Sequence, residues 1–173
     1  MSPEDYSFLP AKRPTKMRVF AATGHRPDKI GGYGIAVANE LHRLAKQSLR
    51  VHWPDLVVTG MALGWDMAVA EAAIDLKIPF VAAVPFRGQQ SAWPFSSQER
   101  YNHLLKKAHE IVVVCEGGYA AWKMQRRNEY MVDRATEILA LWNGTPGGTA
   151  NCIDYANRCR KPVHNVWDDF HGR

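Results

Sequence analysis

Leu56-Val57-Val58-Thr59-Gly60-Met61-Ala62-Leu63-Gly64-Trp65-Asp66, running on into the alanine-rich segment that ends at Leu76, decides the fold. Leu56 to Val58, entered through Pro54, is apolar without alternation, the pattern of a strand covered on both faces. Gly60-x-x-x-Gly64-x-Asp66 then makes a glycine-bearing turn. Asp66 to Leu76 is apolar nearly all round, which predicts a helix buried between other elements. A buried strand that turns through glycines into a buried helix is the repeating unit of parallel α/β sheets.

The same alternation continues on both sides. Arg18 to Ala22, Phe80 to Val84, Ile111 to Val114 and Ile138 to Leu141 read as further strands, and Val163 to Val166 as a short last one. Val37, Ala38, Leu41, Leu44 and Ala45 fall at helical spacing, predicting a helix from about Gly34 to Gln47. Other helices are expected through Tyr101, Leu104, Leu105 and Ala108, over Asn128 to Ala135, and over Thr149 to Arg160 with Thr149 as its cap. No linker interrupts the series. The expectation is an α/β fold: a single doubly wound, Rossmann-like domain over residues 17–173, with a mostly parallel sheet and helices on both faces. A flexible N-terminal arm, residues 1–16, precedes it.

Composition narrows the function. With 46% hydrophobic and 23% charged residues among 173, the chain is an ordinary folded domain. It has no apolar run of membrane-spanning length, and Met1 to Lys16 lacks the apolar core of a secretory signal. No membrane partner and a cytoplasmic location are therefore expected. The net charge of +5 suits an anionic ligand. Its basic residues are scattered, with only Arg126-Arg127 and Arg158 to Lys161 grouped, so nucleic acid is the lesser expectation. Three cysteines form no C-x-x-C, and seven histidines form no H-E-x-x-H, so neither a metal site nor a resident cofactor is expected. Cys115 and Cys152, with no basic activator beside them, read as small core residues.

Ligands of open parallel sheets bind beyond the carboxyl ends of the strands. All five main exits carry glycine with a polar neighbour: Thr23-Gly24-His25-Arg26-Pro27, Thr59 to Asp66, Pro85-Phe86-Arg87-Gly88-Gln89, Glu116-Gly117-Gly118-Tyr119, and Asn143 to Thr149. Gly60-Met61 with Gly64, and Pro146-Gly147-Gly148-Thr149, are expected to cradle an anion through backbone N–H groups. No Lys-Ser/Thr pair completes a P-loop, and no G-x-G-x-x-G signals a dinucleotide enzyme. Asp66 reads either as a helix N-cap or as a carboxylate for sugar hydroxyls. Arg127 beside Asn128, placed between the fourth strand and the next helix, offers a fork for phosphate. Trp93 either packs on the domain or serves as a platform for a base, and Asp154 reads as a first-turn acid.

Taken together, these motifs resemble the SLOG superfamily of Rossmann-like proteins, in its YpsA-like branch. The resemblance covers about Met17 to Val166. It rests on the first three exits, on Trp93, on Arg127-Asn128 with Met131-Val132-Asp133, and on Leu141-Trp142-Asn143-Gly144-Thr145-Pro146-Gly147-Gly148-Thr149. The superfamily includes cytokinin-activating phosphoribohydrolases, which use an arginine in Met-x-x-Arg-Lys and a glutamate in Pro-Gly-Gly-x-Gly-Thr-x-x-Glu. The resemblance places Arg127 on that arginine and Asp154 on that glutamate. Ala150, Asn151 and the shorter Asp154 depart from the second motif, which weakens the transfer of catalysis. Other members sense NAD-derived signals or, as the DprA-type DNA-uptake proteins, bind single-stranded DNA.

The leading expectation is binding of a nucleotide or ADP-ribose-like ligand, as a sensor or sequestering protein. Phosphate is expected on the Gly60–Gly64 and Gly147–Thr149 loops with Arg127, ribose on Asp66 or Glu116, and a base on Trp93. Thr23, Gly24, His25 and Arg26 are expected to line the same site. The alternatives are N-glycosidic hydrolysis or transfer, with Asp154, Arg127 and Asp66 as catalytic candidates, and single-stranded nucleic-acid binding. A homo-oligomer stays open.

Overall fold

The structure, a computed structural model, describes residues 16–171. The arm expected over residues 1–16 thus lies outside the described residues but for Lys16. Six strands alternate with six helices: β1 Val19–Gly24, α1 Ile35–His52, β2 Leu56–Thr59, α2 Trp65–Asp75, β3 Phe80–Val84, α3 Phe95–Lys107, β4 Glu110–Val113, α4 Ala121–Arg134, β5 Glu137–Leu141, α5 Gly148–Arg158, β6 Val163–Asn165 and α6 Trp167–His171. All six strands are parallel, in the order β4-β3-β2-β1-β5-β6. Phe20 lies beside Val57 on one side and Glu137 on the other. The chain winds outward from β1 to β4, then crosses back to β5. Its direction therefore reverses between β1 and β5, and neighbouring loops part there.

The central strands are apolar along their middles because helices cover both faces. Phe20 and Ala22 face the cluster built by α1, α2 and α3, including Leu44, Met67, Ala68 and Tyr101. Val19 and Ala21 face the opposite cluster, with Met131 and Val132 of α4 and Cys152 and Ala156 of α5. Period-two side-chain direction on a doubly covered sheet leaves little room for polar residues in mid-strand, and Thr23, Thr59, Glu110 and Glu137 stand at or next to strand ends. Helix α2 packs on β1, β2 and β3 and against α1 and α3. That placement explains why Trp65 to Ala70, with Ala72 and Ala73, are all buried. No helix among the described residues is long and apolar enough to cross a membrane.

Several boundaries differ from expectation. Helix α1 runs five residues past Gln47 to His52 and ends at Trp53, whose φ of 45° stops it before Pro54. Helix α4 begins at Ala121, seven residues before Asn128, so Arg126-Arg127-Asn128 lie within a helix and not in a loop. Its buried positions in that first half are Lys123, Arg127 and Asn128, so apolar periodicity could not reveal it. Glycines, not side chains, cap the two rim helices: Gly64 precedes α2 and Gly147 precedes α5. Asp66 and Thr149 are therefore second residues of their helices and cap neither. A 3₁₀ turn, Pro27–Lys29, and the short α6 complete the fold.

A candidate ligand cleft at the strand reversal

A cleft of about 270 Å³ opens at the carboxyl ends of β1 and β5. Thr23 to Arg26 come from the end of β1, Asp28 and Lys29 from the 3₁₀ turn, and Ala62 and Asp66 from the approach to α2. Met124, Arg127 and Asn128 come from α4, and Gly148 and Thr149 from α5. Four segments far apart in sequence meet here because the strand order reverses.

Arg127 is only 7% exposed. Its Nη1 donates to the Gly60 carbonyl at 2.6 Å and its Nε to Asn128 Oδ1 at 3.1 Å. Nη2 has no hydrogen-bond partner among the described residues. Asn128 in turn donates from Nδ2 to the Gly148 carbonyl at 3.3 Å, tying α4 to the start of α5. A Cβ on Gly60 would stand 2.4 Å from Nη1, so glycine at this position makes room for the guanidinium. Burial lowers the Arg127 pKa, and the charge of Asp66 opposes that fall.

Asp66 is 4% exposed. Burial pushes its carboxyl up to about 6, against the pull of Arg127, of the Ala62 N–H at 3.4 Å and of Arg26. Oδ1 accepts no hydrogen bond among the described residues. The turn before α2 holds the carboxylate in place. Thr59 Oγ1 donates to the Asp66 carbonyl at 2.9 Å and accepts from the Met61 N–H at 3.3 Å. Met61 itself is fully buried with a φ of 58°, a conformation costly for a side chain of its size. Gly64, at φ 90°, lets the chain turn beneath the His25 carbonyl, where a Cβ would come within 2.7 Å.

The start of α5 supplies backbone donors. Gly147, at φ 144°, has no side-chain cap, and the first helical bond runs from the Asn151 N–H to the Gly147 carbonyl at 3.0 Å. The N–H groups of Gly148, Thr149 and Ala150 have no partner among the described residues. Four unsatisfied donors and the helix dipole favour an anion at such a terminus. Lys29 stands beside it, its Nζ donating to the Pro146 carbonyl at 3.1 Å. His25 contributes structure more than charge. Its Nε2 lies 2.6 Å from Asn143 Oδ1, and burial lowers its pKa, so the neutral ring braces the β1 exit against the β5 exit.

The structure brings together Thr23, Gly24, His25, Arg26, Asp66, Arg127, Asn128, Gly148 and Thr149 of the expected residues. Gly147 stands directly behind Gly148. Gly60 and Met61 support the cleft from beneath and do not line it, and Gly64 faces a small recess beside Tyr33. Trp93 packs edge-on against Tyr101 at 5.4 Å, beside the apolar cluster under α3 and away from the cleft. Glu116 lines a separate groove outside α4, and its carbonyl accepts a short hydrogen bond from Lys123 Nζ. Asp154 is exposed on α5, whose inward face is Thr149, Cys152, Ile153 and Ala156. Lys29, Asp28, Met124 and Ala62 were not expected here. Pro27-Asp28-Lys29 carried the signal for the first two, since proline commonly opens a helical turn. Cys152 lies close by but its thiol is pushed up to about 11 by burial, which removes it as a nucleophile at neutral pH.

Comparison with known proteins gives the family. Residues 13–162 match the model of the YspA SLOG family. A prophage-derived protein of Bacillus subtilis, YoqJ, is 34% identical over 126 residues, covering 64% of this chain and 73% of that protein. A UPF0398 protein of Halalkalibacterium halodurans is 26% identical over 157 residues, 82% of each chain. Among solved structures, DNA processing protein A from Streptococcus pneumoniae shares the fold with a TM-score of 0.64 at 15% identity, over 86% of this chain and half of that one. The Helicobacter pylori protein of the same name, described with its single-stranded DNA binding, gives 0.62 at 16% identity, over 84% and 63%. A molybdenum cofactor binding protein from Rippkaea orientalis gives 0.55 at 13% identity, over 86% and 75%. The chain belongs to the YspA SLOG family.

Proposed function

We propose that this protein binds a nucleotide or ADP-ribose-like ligand in the cleft between β1 and β5. The observation that carries the reading is Arg127, a buried guanidinium on the cleft wall with Nη2 unengaged among the described residues. An anion in the cleft would complete that donor with a charge-assisted hydrogen bond. The uncapped start of α5 and Lys29 add donors of the same polarity. Asp66 Oδ1 supplies the acceptor that a sugar hydroxyl requires.

One fold serves different ligands among the neighbours, single-stranded DNA in one and the molybdenum cofactor in another. The choice for this chain therefore rests on its own residues. The cleft is at the small end of small-molecule pockets, and no Phe, Tyr or Trp lines it. A strand-binding groove needs successive aromatic platforms, so a single sugar phosphate fits these walls better than a polymer.

Calorimetric titration with AMP and with ADP-ribose, beside mass spectrometry of ligand retained by the purified protein, tests the proposal. Binding of either nucleotide, weakened in Arg127→Ala, is the expected result. Absence of both binding and any retained ligand would overturn it. A second reading, N-glycosidic bond cleavage, is favoured by one observation: Asp66 is a buried carboxylate on the cleft wall, and it would stabilise positive charge on a sugar ring.

A further inference from the structure

The exit of β3, Pro85 to Gln89 with Trp93, lines no part of the cleft. Gln89 nevertheless is 7% exposed and reaches beneath it. Its Nε2 donates to the Gly60 carbonyl at 3.2 Å, with the Met61 carbonyl at 3.4 Å and the Tyr101 hydroxyl at 3.3 Å. Only the NH₂ end of the amide suits two carbonyl oxygens, which fixes its orientation. The Gly60 carbonyl is also the oxygen that accepts from Arg127 Nη1 at 2.6 Å.

We infer that Gln89 is a positioning residue for Arg127, acting through the shared Gly60 carbonyl and the left-handed Met61 turn. Gly60 and Met61 sit in a turn that backbone preference alone would not hold, since Met61 has a φ of 58°. Gln89 clamps both of its carbonyls. Trp93, packed edge-on against Tyr101, buttresses the hydroxyl on which Gln89 also leans. The β3 exit thus sets the height of the guanidinium without touching the ligand. This inference rests on the nucleotide-binding reading for its affinity measurement alone, because the guanidinium itself can be observed without ligand.

The test uses Gln89→Met, which keeps length and removes the donors, and Tyr101→Phe, which removes only the hydroxyl. In the nucleotide-free protein, the Arg127 Nε–Hε NMR resonance should shift and broaden in Gln89→Met, and shift less in Tyr101→Phe. The signals of surface Arg43 and Arg126 should stay in place. An unmoved Arg127 resonance in both folded variants overturns the inference. With AMP as probe, Gln89→Met should weaken binding about tenfold in the wild-type background and not further in Arg127→Ala, while thermal unfolding midpoints fall equally in both. Additive affinity losses would mark Gln89 as a general structural residue and refute the positioning role. If neither AMP nor ADP-ribose binds the wild type and no ligand is retained, the nucleotide reading falls and the NMR comparison still decides this one.

Discussion

Asp66 and Arg127 face one cleft as buried opposite charges with no direct ion pair between them. Each is felt by the other, yet burial outweighs that attraction and lifts the Asp66 carboxyl to about 6. Both side chains line the cleft. The fold brings them together, because α2 and α4 carry the two residues from opposite faces of the sheet to its reversal.

Arg127→Ala should weaken nucleotide binding by ~1.5–3 kcal/mol, the range for a hydrogen bond to a charged group. Arg126→Ala should leave it unchanged, since that side chain is 67% exposed and reaches only Glu129, at 3.7 Å. Calorimetric titration of both variants checks the pair, and equal losses would contradict the assignment of Arg127 to the cleft.

Asp66→Asn should stabilise the fold while weakening the ligand. An acid whose pKa rises on folding, from 3.8 to about 6, binds its proton more tightly in the native state. Stability is therefore greatest below about 4, declines as pH rises towards 6, and carries the whole cost above that, ~3 kcal/mol. Asparagine keeps an acceptor for the Ala62 N–H and has no charge to bury. Urea denaturation between pH 4 and 7 should show the decline in wild type and a flat profile at this position in Asp66→Asn. An equal slope in both would show that Asp66 is not the group responsible.

Gly60→Ala should disrupt the site by steric conflict with one residue. The three nearest atoms to the new Cβ all belong to the Arg127 guanidinium, at 2.4 to 2.9 Å. Arg127 must move, and its bond to the Gly60 carbonyl is lost with its position. The same substitution in an Arg127→Ala background is relieved of all three contacts. Thermal unfolding should show a clear loss for Gly60→Ala alone and little for Gly60→Ala added to Arg127→Ala. A constant loss in both backgrounds would place the conflict elsewhere.

The sheet was legible in the sequence because the middles of its doubly covered strands are apolar on both faces. Val19 and Ala21 go to one face, Phe20 and Ala22 to the other, and all are apolar. The cleft was legible as a rim of glycine-bearing exits, but not the direction of each side chain. Trp93 and Asp154 are near the rim in sequence, and helix and loop phase turned one towards Tyr101 and the other to solvent. Helix α4 hid its first half because the face it buries there is polar. Lys123, Arg127 and Asn128 interrupt the apolar period that would have announced it.

Any N-glycosidic activity should depend on Asp66 and not on Asp154. The family resemblance places Asp154 on a catalytic glutamate, and the structure leaves it exposed on α5, outside the cleft. A carboxylate acts on a developing sugar cation only at close range and away from water, where its field is unscreened. Asp66 is buried on the cleft wall and is ionised above about pH 6. Chromatography of free adenine released from AMP, run on wild type, Asp66→Asn and Asp154→Asn, separates the two. Release retained in Asp154→Asn and lost in Asp66→Asn is the expected pattern, with the pH profile rising through about 6 as Asp66 loses its proton. Release that disappears with Asp154→Asn alone would require α5 to turn in the ligand-bound state and would return the catalytic role to that residue.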